Sequence, residues 1–317
     1  MEAKISVLDR IGQSFTLYKN HFIDFFLPIF LYNIISFLVF GVAFMAFVFG
    51  NIGSIDLQNM DYFSFLNNPK IVSLIAIGMV IFIVYLLLYI PVLLGLIKSI
   101  KQAYDEQEVT PKANILYGFT NLTNSFKTYW YIFVYVAIVP AVFFIIGGIL
   151  FNYGYYSDSD ILKQIGRFGM IFGGILFIVF SIYRGLKSTF PIYSAVNNDS
   201  FTKEDFSNAI NITHNNWWRI LGNFILIGLT ITIVSGLISG LLGIFSYSSL
   251  DFSSVTSLQD FTEIASNFSV VGESLSGFVN TIISTITSVF VIIFTYIFYM
   301  TLRQESIIVP KKGEIEL

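Results

Sequence analysis

The sequence predicts an all-α integral membrane protein with six transmembrane helices, arranged as three repeats of a cytoplasmic amphipathic helix followed by two spans. Three observations predict this fold. Apolar residues make up 55% of the chain and charged residues only 12%, about half the charged share of a typical soluble domain. Six apolar stretches are long enough to cross a bilayer. A short motif, an asparagine followed two residues later by an aromatic residue, precedes every other stretch.

The six predicted spans satisfy the requirement for about 20 residues across a hydrocarbon core. They are Phe25–Gly50, Ile71–Ile97, Tyr129–Phe151, Phe168–Tyr183, Ile220–Phe245 and Phe278–Leu302. The fourth span is short, so we expect it to continue as far as Ala195. Its two cations, Arg184 and Lys187, would then extend their charged ends to the membrane interface.

Three copies of the motif lie where a short amphipathic helix is predicted to meet a span. They are Asn20 with Phe22, Asn124 with Phe126, and Asn215 with Trp217. Upstream of each copy, apolar residues recur at steps of three and four, which places them on one helical face. Thr110-Pro111 is a helix start signal, and Thr202 with Asp205 predicts a capping box. We therefore expect one membrane domain with repeat units at about 1–104, 105–196 and 197–317.

The distribution of positive charge predicts the orientation. If the N-terminus is cytoplasmic, every Lys and Arg except Lys70, Lys163 and Arg167 falls in an inner segment, as the positive-inside rule requires. No short apolar core followed by a cleavage site begins the chain, so we expect no cleavable signal peptide. These features predict the plasma (inner) membrane of a prokaryote, with both termini in the cytoplasm.

The predicted outer loops are residues 51–70, 152–167 and Ser246–Gly277. The last loop has room for a short helix from Leu258 to Phe268. Within the spans, Gly169 with Gly173 and Gly236 with Gly240 form small-residue pairs, which predict close approach between helices.

The chain contains no pattern that predicts catalysis. No ionisable residue lies near the middle of a predicted span, which argues against ion-driven transport. Phosphate-binding loops, zinc-protease and serine-hydrolase motifs are missing from the sequence, and there is no cysteine. The net charge of -3, without a basic stripe, argues against a nucleic-acid partner. We expect neither enzymatic activity nor a cofactor or metal.

Two functions are consistent with these patterns. The first is a scaffold related to lipid or the cell envelope, whose interfacial helices contact lipid or a partner protein, with a homo-oligomer also possible. Its candidate contact residues are the motif residues and the aromatic and basic side chains that follow, namely Asn20, Phe22, Asn124, Phe126, Asn215, Trp217, Trp218 and Arg219.

The alternative function is that of a permease or transporter subunit for a lipidic or uncharged solute. Thr281, Ser284 and Ser288 lie on roughly one face of the sixth span. Their hydroxyl groups could line a hydrated cavity, but they could equally bond across helices or to their own backbone.

Two stretches carry a resemblance to known proteins. These are GQSFTLYKNHF, residues 12–22, and EDFSNAINITHNNWWRILGNFILIGL, residues 204–229. The chain resembles a diffuse group of bacterial and archaeal membrane proteins that includes the non-catalytic membrane domain sometimes fused to glycerophosphoryl diester phosphodiesterases. The resemblance implies an integral membrane protein concerned with lipids or envelope maintenance. It implies no activity, because the soluble phosphodiesterase barrel has no counterpart in this sequence.

Overall fold

Helices account for nearly all of the chain that the structure, a computed structural model, describes. The backbone is described for residues 6–41, 69–157, 159–214, 216–248 and 258–308, and these ranges contain no strand. The helices are α1 (Val7–Asn20), α2 (Phe22–Ser36, followed by a π-helical segment Phe37–Gly41), α3 (Pro69–Tyr104), α4 (Pro111–Thr120), α5 (Leu122–Tyr156), α6 (Asp160–Lys187), α7 (Pro191–Asn198), α8 (Lys203–His214), α9 (Trp217–Ser248) and α10 (Leu258–Ile308).

Within the described ranges, six helical stretches are long and apolar enough to cross a membrane, which confirms that part of the predicted fold class. They are Phe22–Val39, Ala76–Tyr104, Leu122–Tyr156, Asp160–Asn198, Trp217–Ile238 and Phe278–Ser306. Each overlaps one predicted span. The short helices α1, α4 and α8 lie immediately before α2, α5 and α9, with one or two residues between the members of each pair.

Two predicted outer loops are much shorter than the sequence indicated. In place of the loop at 152–167, α5 continues to Tyr156 and α6 begins at Asp160, capped by the Ser159 hydroxyl, which accepts from Leu162 N at 3.5 Å. In place of the loop Ser246–Gly277, α9 runs to Ser248 and α10 starts at Leu258, so the predicted short helix is the first part of α10. Polar residues end an apolar stretch but not a helix, since most polar residues remain good helix formers. The loop at 51–70 lies almost entirely outside the described residues.

The predicted continuation of the fourth span to Ala195 agrees with the candidate span Asp160–Asn198, but the helix within it is broken. Helix α6 ends at Lys187, and a separate helix, α7, begins at Pro191. Proline has no N–H to donate and disfavours a helical conformation at the residue before it, but it is well suited to the first position of a new helix. The break between the two helices follows from that preference.

The chain divides into two units by its backbone contacts. The first unit is Met1–Arg10, Thr120–Leu226 and Thr295–Leu317, and the second is Ile11–Phe119 and Ile227–Phe294. In the first unit, aromatic residues from the segment just before α7 and from α10 form a buried core. The Phe190 ring lies 5.9 Å from Phe298 and 5.7 Å from Tyr299, and all three side chains are buried.

The first unit also contains a hairpin of α5 and α6 that packs through glycines. A Cβ placed on Gly147 would lie 2.7 Å from Met170 N, and one on Gly169 would lie 3.1 Å from Gly147 Cα. The predicted close approach at Gly169 and Gly173 is therefore confirmed. The corresponding prediction for Gly236 and Gly240 is wrong, because nothing lies within 4 Å of a Cβ at either position.

The second unit is held by polar contacts between helices. The Tyr32 hydroxyl donates to Tyr85 O at 3.0 Å, and Asn33 Nδ2 donates to Thr285 Oγ1 at 2.9 Å. Gly118 of α4 lies directly against Pro91 of α3, where any Cβ on Gly118 would overlap the proline carbonyl. Because glycine has no Cβ, it allows two helix backbones to approach this closely.

Adjacent glycines on α5 provide a matched test of the hairpin. Gly147→Leu should push α5 away from α6 and destabilise the protein by about 1 to 3 kcal/mol, the usual cost of overpacking a tight contact. Gly148→Leu should be close to neutral, since a Cβ at Gly148 meets nothing within 4 Å. Thermal unfolding of the two variants in detergent measures the difference, and equal midpoints would contradict the packing.

Candidate functional site

The buried residues of the three short helices occupy equivalent positions relative to the motif. Counting back from Asn20, Asn124 and Asn215, position −10 is Arg10, Asn114 and Asp205, and position −6 is Ser14, Gly118 and Ala209. All six are buried. Each short helix thus packs through a face that presents a polar residue and then, one turn later, a small one.

Each residue at position −10 forms hydrogen bonds outside its own helix. Asn114 Nδ2 lies 2.9 Å from Ser99 Oγ and 2.6 Å from Gln102 Oε1, both near the end of α3. Asp205 Oδ1 accepts from Asn198 Nδ2 of α7 at 2.9 Å. These bonds satisfy polar groups that would be costly to bury alone.

Asp205 also starts its helix. Its Oδ2 accepts from Thr202 N at 3.2 Å and Thr202 Oγ1 at 2.6 Å, while Thr202 Oγ1 accepts from Asp205 N at 3.2 Å. The predicted capping box is therefore confirmed. Burial alone would raise the pKa of Asp205, but hydrogen bonds from Thr202, Asn198 and Ser200 outweigh it and hold the pKa below its usual value. The carboxylate stays ionised at neutral pH.

The third residue at this position, Arg10, is a buried cation. Its side chain is 1% exposed, its Nη2 donates to Asn223 Oδ1 of α9 at 2.8 Å, and its guanidinium lies 4.7 Å from the centre of the Phe298 ring. Asn223 in turn donates through Nδ2 to Arg219 O. Burial, with a smaller contribution from the charge of Arg219, lowers the pKa of Arg10, and the charge of Glu305 opposes this shift. Arginine nevertheless stays protonated, because its ordinary pKa lies far above neutral pH.

A second arginine completes what we call the arginine cluster, formed by Arg10, Arg219, Asn223, Phe298 and Glu305. Arg219 holds Glu305 with two hydrogen bonds, Nη1 to Oε2 at 2.5 Å and Nη2 to Oε1 at 3.0 Å, and its guanidinium lies 5.9 Å from the Phe298 ring centre. Such paired bonds are the strongest contacts between arginine and a carboxylate. Two guanidiniums share one carboxylate, so the cluster carries net positive charge.

A buried lysine forms a separate polar contact in the first unit. Lys187 Nζ lies 2.7 Å from the Tyr183 hydroxyl and 2.9 Å from His214 Nδ1. An ammonium group only donates, so Nδ1 must be the acceptor and the ring proton must lie on Nε2. The expectation that Lys187 extends to the interface is wrong, because its side chain is 5% exposed and turned toward α8. Arg184 donates to Tyr135 O at 2.8 Å.

Large apolar side chains are exposed on α1 and α4, beside polar ones such as Gln13. Leu8 is 78% exposed and Phe15 61% on α1, and Leu116 is 64% exposed and Phe119 45% on α4. The outward face of α8 is instead polar, since Ser207, Asn208 and Asn211 are exposed, while Phe206 packs against Tyr131 and Tyr135 of α5. Helices α1 and α4 thus bury a polar residue while large apolar side chains of the same helix stay exposed.

The structure places the predicted contact residues at the starts of the long helices. Asn20 is exposed at the end of α1, and Phe22 stacks 5.0 Å from Phe26. Asn124 and Phe126 are exposed in the first turns of α5, so the second motif lies inside a helix rather than at the junction. Asn215 lies outside the described residues.

Three predicted contact residues, Trp217, Trp218 and Arg219, follow one another at the third copy of the motif. Trp217 Nε1 donates to Tyr183 O at 3.2 Å, and the Trp217 and Trp218 rings lie 4.6 Å apart. Trp218 is 78% exposed, whereas Arg219 points into the arginine cluster.

The hydroxyl groups proposed to line a cavity partly bond to their own helix. Ser284 Oγ and Thr285 Oγ1 both donate to Thr281 O, at 3.0 and 2.7 Å. Ser284 and Ser288 are exposed on α10. The cavity interpretation of Thr281, Ser284 and Ser288 stays a prediction.

Sequence reasoning missed most of the arginine cluster. Arg10 served there only to orient the chain, Arg219 was predicted as a lipid or partner contact, and neither Asn223 nor Glu305 was singled out. Asn223 gave a usable signal, because it is a lone amide in an apolar stretch one turn after Arg219, and such a group needs a partner. No pattern in the sequence pairs Arg10 with a residue so far along the chain.

The described part of the chain is helical and contains six stretches that are long and apolar enough to cross a membrane. Comparison with models of known protein families, with curated proteins and with solved structures finds no match, so the resemblance to the phosphodiesterase membrane domain stays a prediction. In the part of the chain that the structure describes, no three His, Asp or Glu side chains converge to hold a metal ion. The arginines donate hydrogen bonds to side chains of other helices, so their cluster is suited to positioning helices.

Removing the Asn223 amide should destabilise the cluster. Asn223→Leu deprives the buried Arg10 guanidinium of its acceptor, and we expect a loss of about 1.5 to 3 kcal/mol, the range for hydrogen bonds to charged groups. Asn208→Leu, at an exposed position of α8, should change little. Unfolding by SDS titration in mixed micelles compares the two variants. An Asn223→Leu protein as stable as the wild type would show that the amide does not hold Arg10.

Proposed function

We propose that this protein is a non-enzymatic scaffold of a prokaryotic plasma membrane, built as three units of one short helix and two spans. The short helices α1 and α4 lie on the cytoplasmic leaflet and insert their outward apolar side chains among the lipids. Both termini lie in the cytoplasm, and membrane lipid is the principal partner.

The exposure of large apolar side chains on α1 and α4 carries this proposal. Leaving side chains such as Phe15 and Leu116 in water costs about 1.5 to 3 kcal/mol each relative to burial. At the boundary between headgroups and acyl chains, the same side chains are buried in lipid, which is how amphipathic helices bind a membrane surface. The inner faces of α1 and α4 are already occupied by contacts within the protein, so the apolar faces are left for the bilayer.

The equivalent positions of Arg10, Asn114 and Asp205 support the repeat. A polar residue buried at position −10 and a small residue at position −6 recur in all three short helices, which is difficult to account for if the helices had unrelated origins. The outward face of α8 is polar. The exposed aromatic side chain at this copy is that of Trp218, at the start of α9, and we place it at the membrane interface. Tryptophan is typical of that level.

Lipid contact can be measured with single cysteines, because the chain has none of its own. Phe15→Cys and Gln13→Cys both place the thiol at an exposed position of α1. Position 15 lies on the apolar part of the helix surface and position 13 on the polar part. Each is labelled with an environment-sensitive dye in vesicles of phosphatidylglycerol and phosphatidylethanolamine that contain a lipid with a nitroxide just below the headgroup. We expect a blue-shifted, strongly quenched dye at position 15 and a weakly quenched one at position 13.

The same comparison on α4 uses Phe119→Cys and Thr120→Cys, both exposed positions, which lie about 100° apart around the helix. Equal quenching within both pairs would show that the short helices do not insert an apolar face, and the proposal would fail. A blue shift at position 15 without quenching by the nitroxide would point to a protein partner in place of lipid.

A further inference from the structure

A groove lies between the last turns of α6 and the first turns of α9, both in the first unit. Its volume is about 420 Å³, and it is lined by Ser181, Ile182, Gly185 and Leu186 of α6, by Thr189 just after that helix, and by Leu221 and Phe224 of α9. All seven residues belong to the candidate spans Asp160–Asn198 and Trp217–Ile238. The groove is open along much of its length and is not an enclosed cavity.

The groove is complementary to hydrocarbon. Of its seven residues only Ser181 and Thr189 carry polar side-chain atoms, and Thr189 Oγ1 already donates to Gly185 O at 3.4 Å. A polar solute that left water for this groove would lose hydrogen bonds without replacing them, which is unfavourable. A methylene chain has no such bonds to lose.

Gly185 keeps the groove open. A Cβ at this position would meet no heavy atom within 4 Å, so the space above the glycine backbone belongs to the groove. Larger residues flank it along the same helix. Filling this one position would occupy the groove without forcing the surrounding structure to move.

The groove begins at the level where lipid headgroups are expected. Trp217 lies one helical turn before Leu221 on α9 and donates to Tyr183 O, and Trp218 beside it is largely exposed. Tryptophan side chains concentrate at the interface between headgroups and acyl chains. From this level Ser181 and Phe224 lie toward the middle of their spans, which is the direction that an acyl chain takes.

We propose that this groove binds one acyl chain of a membrane phospholipid, whose headgroup lies beside Trp217 and Trp218. The inference rests on the proposed function, which assigns this end of the spans to the cytoplasmic leaflet. It adds a defined lipid site within the spans. A protein occupant fits less well, because a standard protein interface uses about 20 to 30 residues on each side, and the groove offers seven.

Photo-crosslinking in vesicles tests the proposal. The protein is reconstituted in phosphatidylethanolamine and phosphatidylglycerol, with a fraction of the phosphatidylglycerol carrying a diazirine midway along one acyl chain, and adducts are mapped by mass spectrometry. We expect adducts at Leu186, Leu221 and Phe224 to exceed those at Ile171 and Ile175 by about tenfold, the ratio expected for a retained chain over freely exchanging lipid. Ile171 and Ile175 are exposed on α6 outside the groove.

Two glycine substitutions provide the control. Gly185→Leu fills the groove and should abolish the excess. Gly222→Leu adds the same side chain on α9, at a position that is outside the lining and has no heavy atom within 4 Å of its Cβ, and it should leave the excess unchanged. Both variants are checked for an unaltered unfolding temperature.

Two results would overturn the proposal. They are equal labelling inside and outside the groove in the wild-type protein, and an excess that survives Gly185→Leu. The outcome is separable from the proposed function, since dyes on α1 and α4 report the short helices and the diazirine reports the spans.

Discussion

The burial of Arg10 is the constraint on which the arrangement of the first unit depends. Taking a charge out of water costs several kcal/mol unless hydrogen bonds and opposite charge replace the lost solvation. Arg10 obtains this replacement from Asn223, from the face of Phe298 and from the field of Glu305. Each of these groups is itself fixed, since Asn223 is bonded to Arg219 O and Glu305 to the Arg219 guanidinium. The start of α1 is therefore tied to α9 and α10 by one connected set of polar contacts.

The same principle operates with different chemistry at the other two short helices. Where α1 buries an arginine, α4 buries an asparagine and α8 an aspartate, and each residue finds partners outside its own helix. A small residue follows one turn later and allows close packing. The exposed surfaces of α1 and α4 combine large apolar side chains with polar ones, and the proposed function places the apolar ones in lipid.

The sequence predicted the parts of the fold that depend on composition and local chemistry. Hydropathy located all six candidate spans, and the capping box of Thr202 and Asp205 was readable because both residues act within one helical turn. The glycine pair at Gly169 was informative, but the pair at Gly236 was not, since a small residue permits close packing without supplying a neighbour. The loop Ser246–Gly277 was overestimated because hydropathy detects where a helix leaves the membrane and not where the helix ends.

The candidate site was harder to predict than the fold. Lys187 was expected at the interface, yet it turns inward to His214 and Tyr183, and this choice depends on where α8 packs. The partners of Arg10 lie at Asn223 and Phe298, far away in the sequence, and periodicity carries no information on such pairings. Arg219 was correctly placed at the head of a span, but its ion pair with Glu305 requires the three-dimensional arrangement of α9 and α10.

The central claim is that the three short helices lie on one face of the membrane, the cytoplasmic one, with each pair of spans crossing outward and back. Labelling of single cysteines with a membrane-impermeant maleimide tests this most directly, at Ser157 between α5 and α6, at Asp105 before α4 and at Lys203 at the start of α8. The account predicts that Ser157→Cys reacts in intact cells, whereas Asp105→Cys and Lys203→Cys react only after permeabilisation. Reaction of either Asp105→Cys or Lys203→Cys in intact cells would contradict it.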